Sequence, residues 1–484
     1  MASNWKKVGL NDLGEVARGK SKHRPRYAEH LYGGKYPFIQ TGDIKASGGL
    51  VSTHSQTYSE AGLAQSRLWP TNTMCITIAA NIAETGILTY PACFPDSVIG
   101  FIADESLCDV RFIEYRFRYL KAQLQREAIG SVQDNINLAT FERLKFSIPE
   151  LEEQKRIADV LYSLDNKIQL NRQTNQTLEK MAQALFKSWF VDFDPVFDNA
   201  LASGMAVNDF PEALQKKALS RQQQRQQVQQ KIANGESSAG KELDDKPLPA
   251  DILNLFPSDF EQTDEPSIGI NSWIPKGWNI EAISKAIQVN PKTSLPKQTV
   301  AKFADMKAIP TSGYMVDEII EKEYKGGAKF IEKDILFARI TPCLQNGKTA
   351  LVDFLSDGEV GFGSTEFIVL RQKDKVSYPF VACLAREDGF RAHCMQSMVG
   401  SSGRQRVQNA CFDDYYLALP DKQELLEQFT EMTSANFSKM IANKLESQSL
   451  TKLRDTLLPK LISGELTLPA DNSKCTAATE AYPS

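Results

Sequence analysis

Three stretches of this chain recur in one order at nearly one spacing. LEKMAQALFKSWF at 178–190 aligns with LTKLRDTLLPKLI at 450–462, an offset of 272 residues. Upstream, GSVQDNINLATFERLKFSIP (130–149) parallels GSSGRQRVQNACFDDYYLALP (400–420), with one residue inserted. Trp5 and Trp278 each open a similar segment, WKKVGLNDLG and WNIEAISKAI, 273 residues apart. A sequence that repeats itself folds as a repeated unit. The unit here is a globular domain, then a proline, then a long helix. The expected organisation is a first domain at 1–148, a first spacer helix at 149–193, a linker at 194–272, a second domain at 273–419, a second spacer helix at 420–464 and a tail at 465–484. The fold class expected is α+β: two mixed α/β domains joined by two long antiparallel coiled-coil helices, with a pseudo-twofold repeat.

At 484 residues the chain exceeds one ordinary core. Its 42% hydrophobic and 24% charged residues suit a soluble globular protein. No apolar run approaches the ~20 residues of a membrane helix. The amino terminus lacks the apolar stretch of a secretory signal, so a cytoplasmic location is expected. The eight cysteines (Cys75, Cys93, Cys108, Cys343, Cys383, Cys394, Cys411 and Cys475) are scattered without CxxC spacing. That pattern favours reduced thiols over zinc or a disulfide framework. The net charge of −4 argues against nucleic acid only until it is divided by region. Residues 1–148 hold 17 basic and 14 acidic side chains, and 273–419 hold 19 and 17. Residues 194–272 hold 7 and 13, and carry most of the acidity. Both globular domains are therefore slightly basic, and the local field is what a polyanion meets.

After Pro149 the pattern turns heptad. Ile157, Leu161, Leu164, Ile168, Asn171, Asn175, Leu178, Ala182, Leu185 and Trp189 alternate at steps of four and three. The second copy keeps a rougher stripe, with Phe429, Met440, Leu450, Leu453, Leu457 and Leu461. Asn171 is the midpoint of 152–190, and Asn443, 272 residues on, is the midpoint of 424–462. Antiparallel packing brings the two midpoints together, so the buried amides are expected to satisfy each other. Trp189, with Phe190 and Phe193, is larger than a two-helix seam requires and is expected to face a partner. Packing on the second domain is the ordinary alternative. The linker holds a Gln/Arg tract suited to a short solvated helix, and the rest of it reads as irregular.

Candidate contacts to a nucleic acid lie in loops. Arg18, Lys20, Lys22, Arg24 and Arg26 place five cations within nine residues, which suits phosphate as well as it suits plain solvent. Gln40 and Thr41 follow a strand-like YPFI, and Gln133, Asn135 and Asn137 lie in SVQDNIN. In the second domain FARITPCLQNGKT presents Arg339, Gln345, Asn346 and Lys348. GFGSTEF presents Ser364, and MVGSSGRQRV gathers Arg404, Gln405 and Arg406. Arginine pairs bidentately with guanine, and Asn or Gln with adenine. Each residue also has an ordinary reading: Arg339 as a buried ion-pair partner, the rest as loop polarity. No catalytic constellation accompanies them. NGKTA ends like a phosphate loop, but Pro342 stands where G-x-x-x-x-G-K-[ST] needs its first Gly. Asp194-Pro195-Val196-Phe197 lacks the second proline of an amino-methyltransferase tetrapeptide. Asp317, Glu323 and Lys325 form no convincing nuclease spacing, and four separate histidines form no triad.

These features together resemble the specificity subunits of type I restriction-modification systems. The resemblance rests on EEQKRIADVLYSLDNKIQLNRQTNQTLEKMAQALFKSWFVDFDPV (152–196) and on the Ser147-Ile148-Pro149 and Leu417-Ala418-Leu419-Pro420 steps before the helices. LFPSDFE followed by WIPKGW (255–278), and FARITPCLQNGKT, GFGSTEF and GSSGRQRV, add to it. It implies a non-catalytic DNA-recognition chain that binds a bipartite duplex target and directs adenine methylation or restriction. Two methyltransferase subunits dock on the helices, and two translocase-nuclease subunits follow. This chain needs no cofactor on that reading; S-adenosylmethionine, ATP and magnesium belong to the partners. The second helix departs from the EEQxxI start, having Lys422-Gln423-Glu424-Leu425-Leu426. The rival readings are a coiled-coil scaffold with two ligand-binding domains and a nuclease with an unrecognised site.

Overall fold

A computed structural model describes residues 5–23, 25–79, 81–129, 141, 143–234, 248–265, 267–316 and 318–469. It divides into two compact units, one of residues up to 169 with those from 447 onward, the other of residues 170–446. Among the described residues no helix is long and apolar enough to cross a membrane.

The first unit is built on a five-stranded sheet. Gly14–Arg18, Val98–Ala103, Met74–Thr77 and Thr85–Leu88 pair antiparallel in that order. Leu50–Val51 joins the far edge in parallel. Met74–Thr77 is buried at every position, as an apolar run covered on both faces must be. Helix Val110–Ile129 sets Phe112, Ile113, Phe117 and Leu124 into the core formed with Ile76, Ile99 and Phe101. These apolar positions recur at helical spacing, so one stripe of the helix is dry. Lys6–Gly9 closes the domain by pairing antiparallel with Lys145–Ile148, Lys6 opposite Ile148.

The second unit repeats this plan. Gln288–Val289, Phe367–Arg371, Ile335–Ala338 and Thr349–Leu351 form an antiparallel sheet in the corresponding order. Tyr378–Arg386 and Asp388–Gln396 replace the single helix. Asn279–Ala282 pairs antiparallel with Tyr416–Leu419, Asn279 opposite Leu419, which is again first strand against last. A further sheet of Ile320–Glu323, Val300–Ala304, Gly361–Gly363 and Ala328–Phe330 enlarges what in the first unit is only Tyr32–Phe38 against Gln56–Tyr58, with Phe38 bridging Cys93 in parallel.

Both spacer helices form: Leu151–Phe190 runs 40 residues and Gln423–Ser463 runs 41. Within the first unit Ile157 and Leu161 are buried in one cluster with Leu461 and Ile462, and Leu457 packs against it. There Arg454 Nη1 donates to Asp165 at 2.7 Å. Ile168 is buried and Leu164 and Leu450 are half-buried. Within the second unit the segments run antiparallel, since Asn171 meets Asn443 and Glu446 while Asn175 meets Met440 and Asn443. The expected amide pair is offset. Asn171 Nδ2 donates to Glu446 at 2.8 Å and to the Asn443 carbonyl at 3.4 Å. Asn443 Nδ2 donates to Asn175 Oδ1 at 2.8 Å. The amides interlock one turn apart because side chains on a helix lean toward its amino terminus. Leu453 departs from the stripe at 47% exposure; the adjacent Arg454 takes the inward position, where Asp165 binds it.

Two expectations are corrected here. The stretch after the first helix is not irregular where it is described. Asp194–Ala202 and Glu212–Ala233 are helices, and Val196, Phe197, Ala200, Phe210, Leu214 and Ala218 lie in the second unit's core. Leu214 and Ala218, one turn apart, give the first part of Glu212–Ala233 a dry stripe, and Phe210 just before the helix packs in the same core. Lys217 bridges Asp192 and Asp194 at 3.2 and 2.8 Å, and Arg221 binds Asp198 at 2.6 Å. Trp189 is not a surface residue either. It is 1% exposed, with Phe256 edge-on at 5.1 Å and Phe429 at 6.0 Å. Phe190 and Phe193 pack on Trp278 in the same core. Leu178 and Leu185 line its margin.

Candidate nucleic-acid interface

In the second unit the fold brings three separate polar loops together. Arg339 follows strand Ile335–Ala338, and its N–H donates to the Glu366 carbonyl at 3.0 Å. Val407 N–H donates to the Arg339 carbonyl at 2.9 Å, and Arg339 Nη2 to the Val407 carbonyl at 3.2 Å. Thr341 N–H reaches the Gln405 carbonyl at 3.0 Å, and its hydroxyl accepts the Gln405 N–H at 3.1 Å. Arg406 closes the cluster with a fork onto Glu366, Nε at 2.9 Å and Nη2 at 2.7 Å. Ser364 Oγ accepts the Glu366 N–H at 3.1 Å, which fixes the turn that carries this carboxylate. Hydrogen bonds from Arg406 hold the Glu366 carboxyl below the usual glutamate range, and the same contact raises the guanidinium.

The loop at 398–407 is therefore fastened rather than flexible. Val399 and Arg406 exchange both backbone hydrogen bonds, at 3.1 and 2.9 Å. Gly400 and Gly403, at φ +138° and +75°, allow the chain to turn back between them. The sequence placed Arg404, Gln405 and Arg406 together as base readers, and the structure separates their roles. Arg406 is held by Glu366, and Gln405 is half-buried with its backbone pinned. Arg404 is exposed at the tip. Gln345 and Asn346 are exposed on the turn after Arg339, whereas Lys348 Nζ is tied to the Met306 carbonyl at 2.6 Å. Arg339 is half-buried, and its guanidinium donates to the Val407 carbonyl rather than forming the buried ion pair of its ordinary reading.

In the first unit two of the clustered cations converge on one acid. Arg26 Nη2 donates to both carboxylate oxygens of Asp96 at 2.8 Å, and Arg18 Nε donates to the Asp96 carbonyl. Lys20 and Lys22 are exposed beside them. Gln40 leads into helix Thr41–Ala46 and donates from Nε2 to Gln56 Oε1 at 2.7 Å. Arg24, Gln133, Asn135 and Asn137 lie outside the described residues. Sequence reasoning missed Glu366 and Asp96, the two acids that organise these clusters. An acid among base-reading candidates looks unfavourable for DNA until its arginine partner is known. Among the described residues no group of three His, Cys, Asp or Glu side chains is gathered as a metal site would need.

Residues 2–180 match the family model described as the type I restriction modification DNA specificity domain. The HindI type I restriction enzyme specificity subunit of Haemophilus influenzae is 26% identical over 330 residues, covering 67% of this chain and 69% of that protein. The MjaIX specificity subunit of Methanocaldococcus jannaschii is 23% identical over 485 residues, covering 96% and 94%. A crystal structure of the type I restriction-modification S subunit from M. genitalium superposes with a TM-score of 0.51 at 14% identity, covering 95% of this chain and 96% of that one, so the two share a fold.

Proposed function

We propose that this chain reads a bipartite duplex, one half per domain; the support is that residues 2–180 match the type I restriction modification DNA specificity domain model and that the chain is similar along nearly its whole length to a type I specificity subunit. The chain is the non-catalytic, DNA-specifying member of a type I restriction-modification complex. The observation that carries the two-part target is the repeated topology, in which each domain closes first strand on last. We read the two helices as one antiparallel pair holding the domains about a pseudo-twofold axis. The antiparallel contacts of Asn171, Asn175 and Asn443 support this, and twofold symmetry suits a split site. The division into domains and helices at 148, 193, 272, 419 and 464 belongs to the same reading.

The helices dock two methyltransferase subunits, and two translocase-nuclease subunits complete the assembly. S-adenosylmethionine, ATP and magnesium act in those partners, in the cytoplasm where their DNA lies. The test is methylation-sensitive sequencing of DNA modified by the chain with its methyltransferase partners. The expected mark is adenine methylation within a motif split by an unread gap. A continuous motif would overturn the two-domain reading. Binding without sequence preference would favour a scaffold, and cutting by the purified chain with magnesium alone would favour a nuclease.

A further inference from the structure

Val399 is 65% exposed, although the chain places it in a loop fastened by paired backbone hydrogen bonds. Its neighbour Met398 packs against the core, so the strand alternation turns Val399 outward. Its backbone is bonded twice to Arg406, and Arg406 is forked onto Glu366. Directly opposed residues of an antiparallel pair share a face, so the Val399 side chain rises beside the Arg406 stem. A β-branched side chain has few rotamers, which makes this a stiff apolar knob. Around it stand Ser401, Ser402 and Arg404, all exposed and polar. A lone exposed valine on a plain surface has no consequence. This one stands in the same short turn as the exposed Arg404, in the loop whose residues the sequence puts forward as base readers.

We infer that Val399 reads the 5-methyl group of a thymine in the half-site recognised by the second domain. The inference rests on the DNA-reading function proposed above. The major-groove edges of the four bases offer hydrogen-bond donors, acceptors and one apolar group, the thymine methyl. A rigid apolar side chain without a donor or acceptor gains only from that methyl, and a polar base edge against it loses water with nothing in return. Arg404, exposed in the same turn, supplies planar donors of the kind guanine accepts. The loop thus offers two complementary kinds of contact, one polar and one apolar, on a backbone that does not need to reorganise.

The experiment uses the full chain bound to its methyltransferase subunits. A preferred duplex is first selected from a randomised library, and each thymine of the second half-site is then replaced singly by uracil. Burying one methyl is worth roughly fourfold in affinity, so the wild-type complex is expected to lose about that factor at one thymine only. Val399→Ala should bind the thymine and uracil duplexes alike while keeping its preferences in the first half-site. Val399→Ile should keep the thymine preference. The inference is overturned if every uracil replacement is neutral for the wild-type complex. It is equally overturned if Val399→Ala retains the gap, or if the selected half-site contains no A·T pair. If the library yields no preferred duplex at all, the DNA-reading function itself fails, a result distinguishable from the other three.

Discussion

An arginine side chain gives its chemistry away in sequence but not its employment, which is decided by the acid it meets. Arg404 and Arg406 are two residues apart, yet Glu366, forty residues upstream, holds one and leaves the other exposed. Arg404→Ala is expected to cost ~1–3 kcal/mol at a single base position. Lys20→Ala or Lys22→Ala should instead weaken binding to all duplexes and flatten the salt dependence by about one unit of slope. Titrations of cognate and single-base-changed duplexes at two salt concentrations separate the classes. Equal losses for Arg404→Ala on both duplexes would make it a phosphate anchor. The Arg406–Glu366 clasp also predicts a pH response. Its carboxyl is held below the ordinary glutamate value, so its stabilisation is complete above that value, about 4.3. It is lost as pH falls through the lowered value. Amide-exchange protection across 398–407 should therefore fall on acidification, and Glu366→Gln should remove the pH dependence of that protection. A loop whose protection followed the rest of the domain in both proteins would show that the clasp does not order it.

At the scale of elements, periodicity was legible wherever it was local. The heptad stripe of Leu151–Phe190 and the dry stripe of Val110–Ile129 can be counted from the residues, because the helix face they define needs no distant partner. Burial that depends on a remote segment could not be counted. Trp189 looks like a surplus aromatic until Phe256 and Phe429 close over it. Phe210, Leu214 and Ala218 are interspersed with Glu212, Gln215, Lys216 and Lys217 and run into a Gln/Arg tract, so the stripe reads as spacer. Trp189→Ala and Phe197→Ala should each destabilise the protein by about 3–5 kcal/mol. Thermal unfolding of the two variants checks this; unchanged melting would contradict the packing described. Asn443→Leu strips Asn175 Oδ1 of its 2.8 Å donor, and leaving that acceptor unmet should cost about 1–3 kcal/mol. A neutral or stabilising outcome would show that the helix seam tolerates an apolar centre.

For the whole molecule, duplication was the most legible property, since three short alignments foretold two units of one topology. The four-stranded sheet at 300–363 was not, because its counterpart in the first unit is reduced to Tyr32–Phe38 against Gln56–Tyr58. If each domain reads its own half-site, then substitutions confined to 6–148 should change one half of the methylated motif and leave the other intact. Sequencing of modified DNA would reveal a change in both halves if the domains read jointly. The first-on-last strand pairing carries a consequence of its own. Lys6 lies across from Ile148 and Asn279 across from Leu419, so the chain arrives at each domain and departs from it at one place, with opposed Cα atoms only ~4.5–5.5 Å apart. Each domain is thus an excursion from the helical frame, bounded by two neighbouring cut points. If each domain reads its own half-site, a foreign domain with the same strand clasp spliced between those points should carry its target choice with it, an exchangeable cassette in a permanent socket.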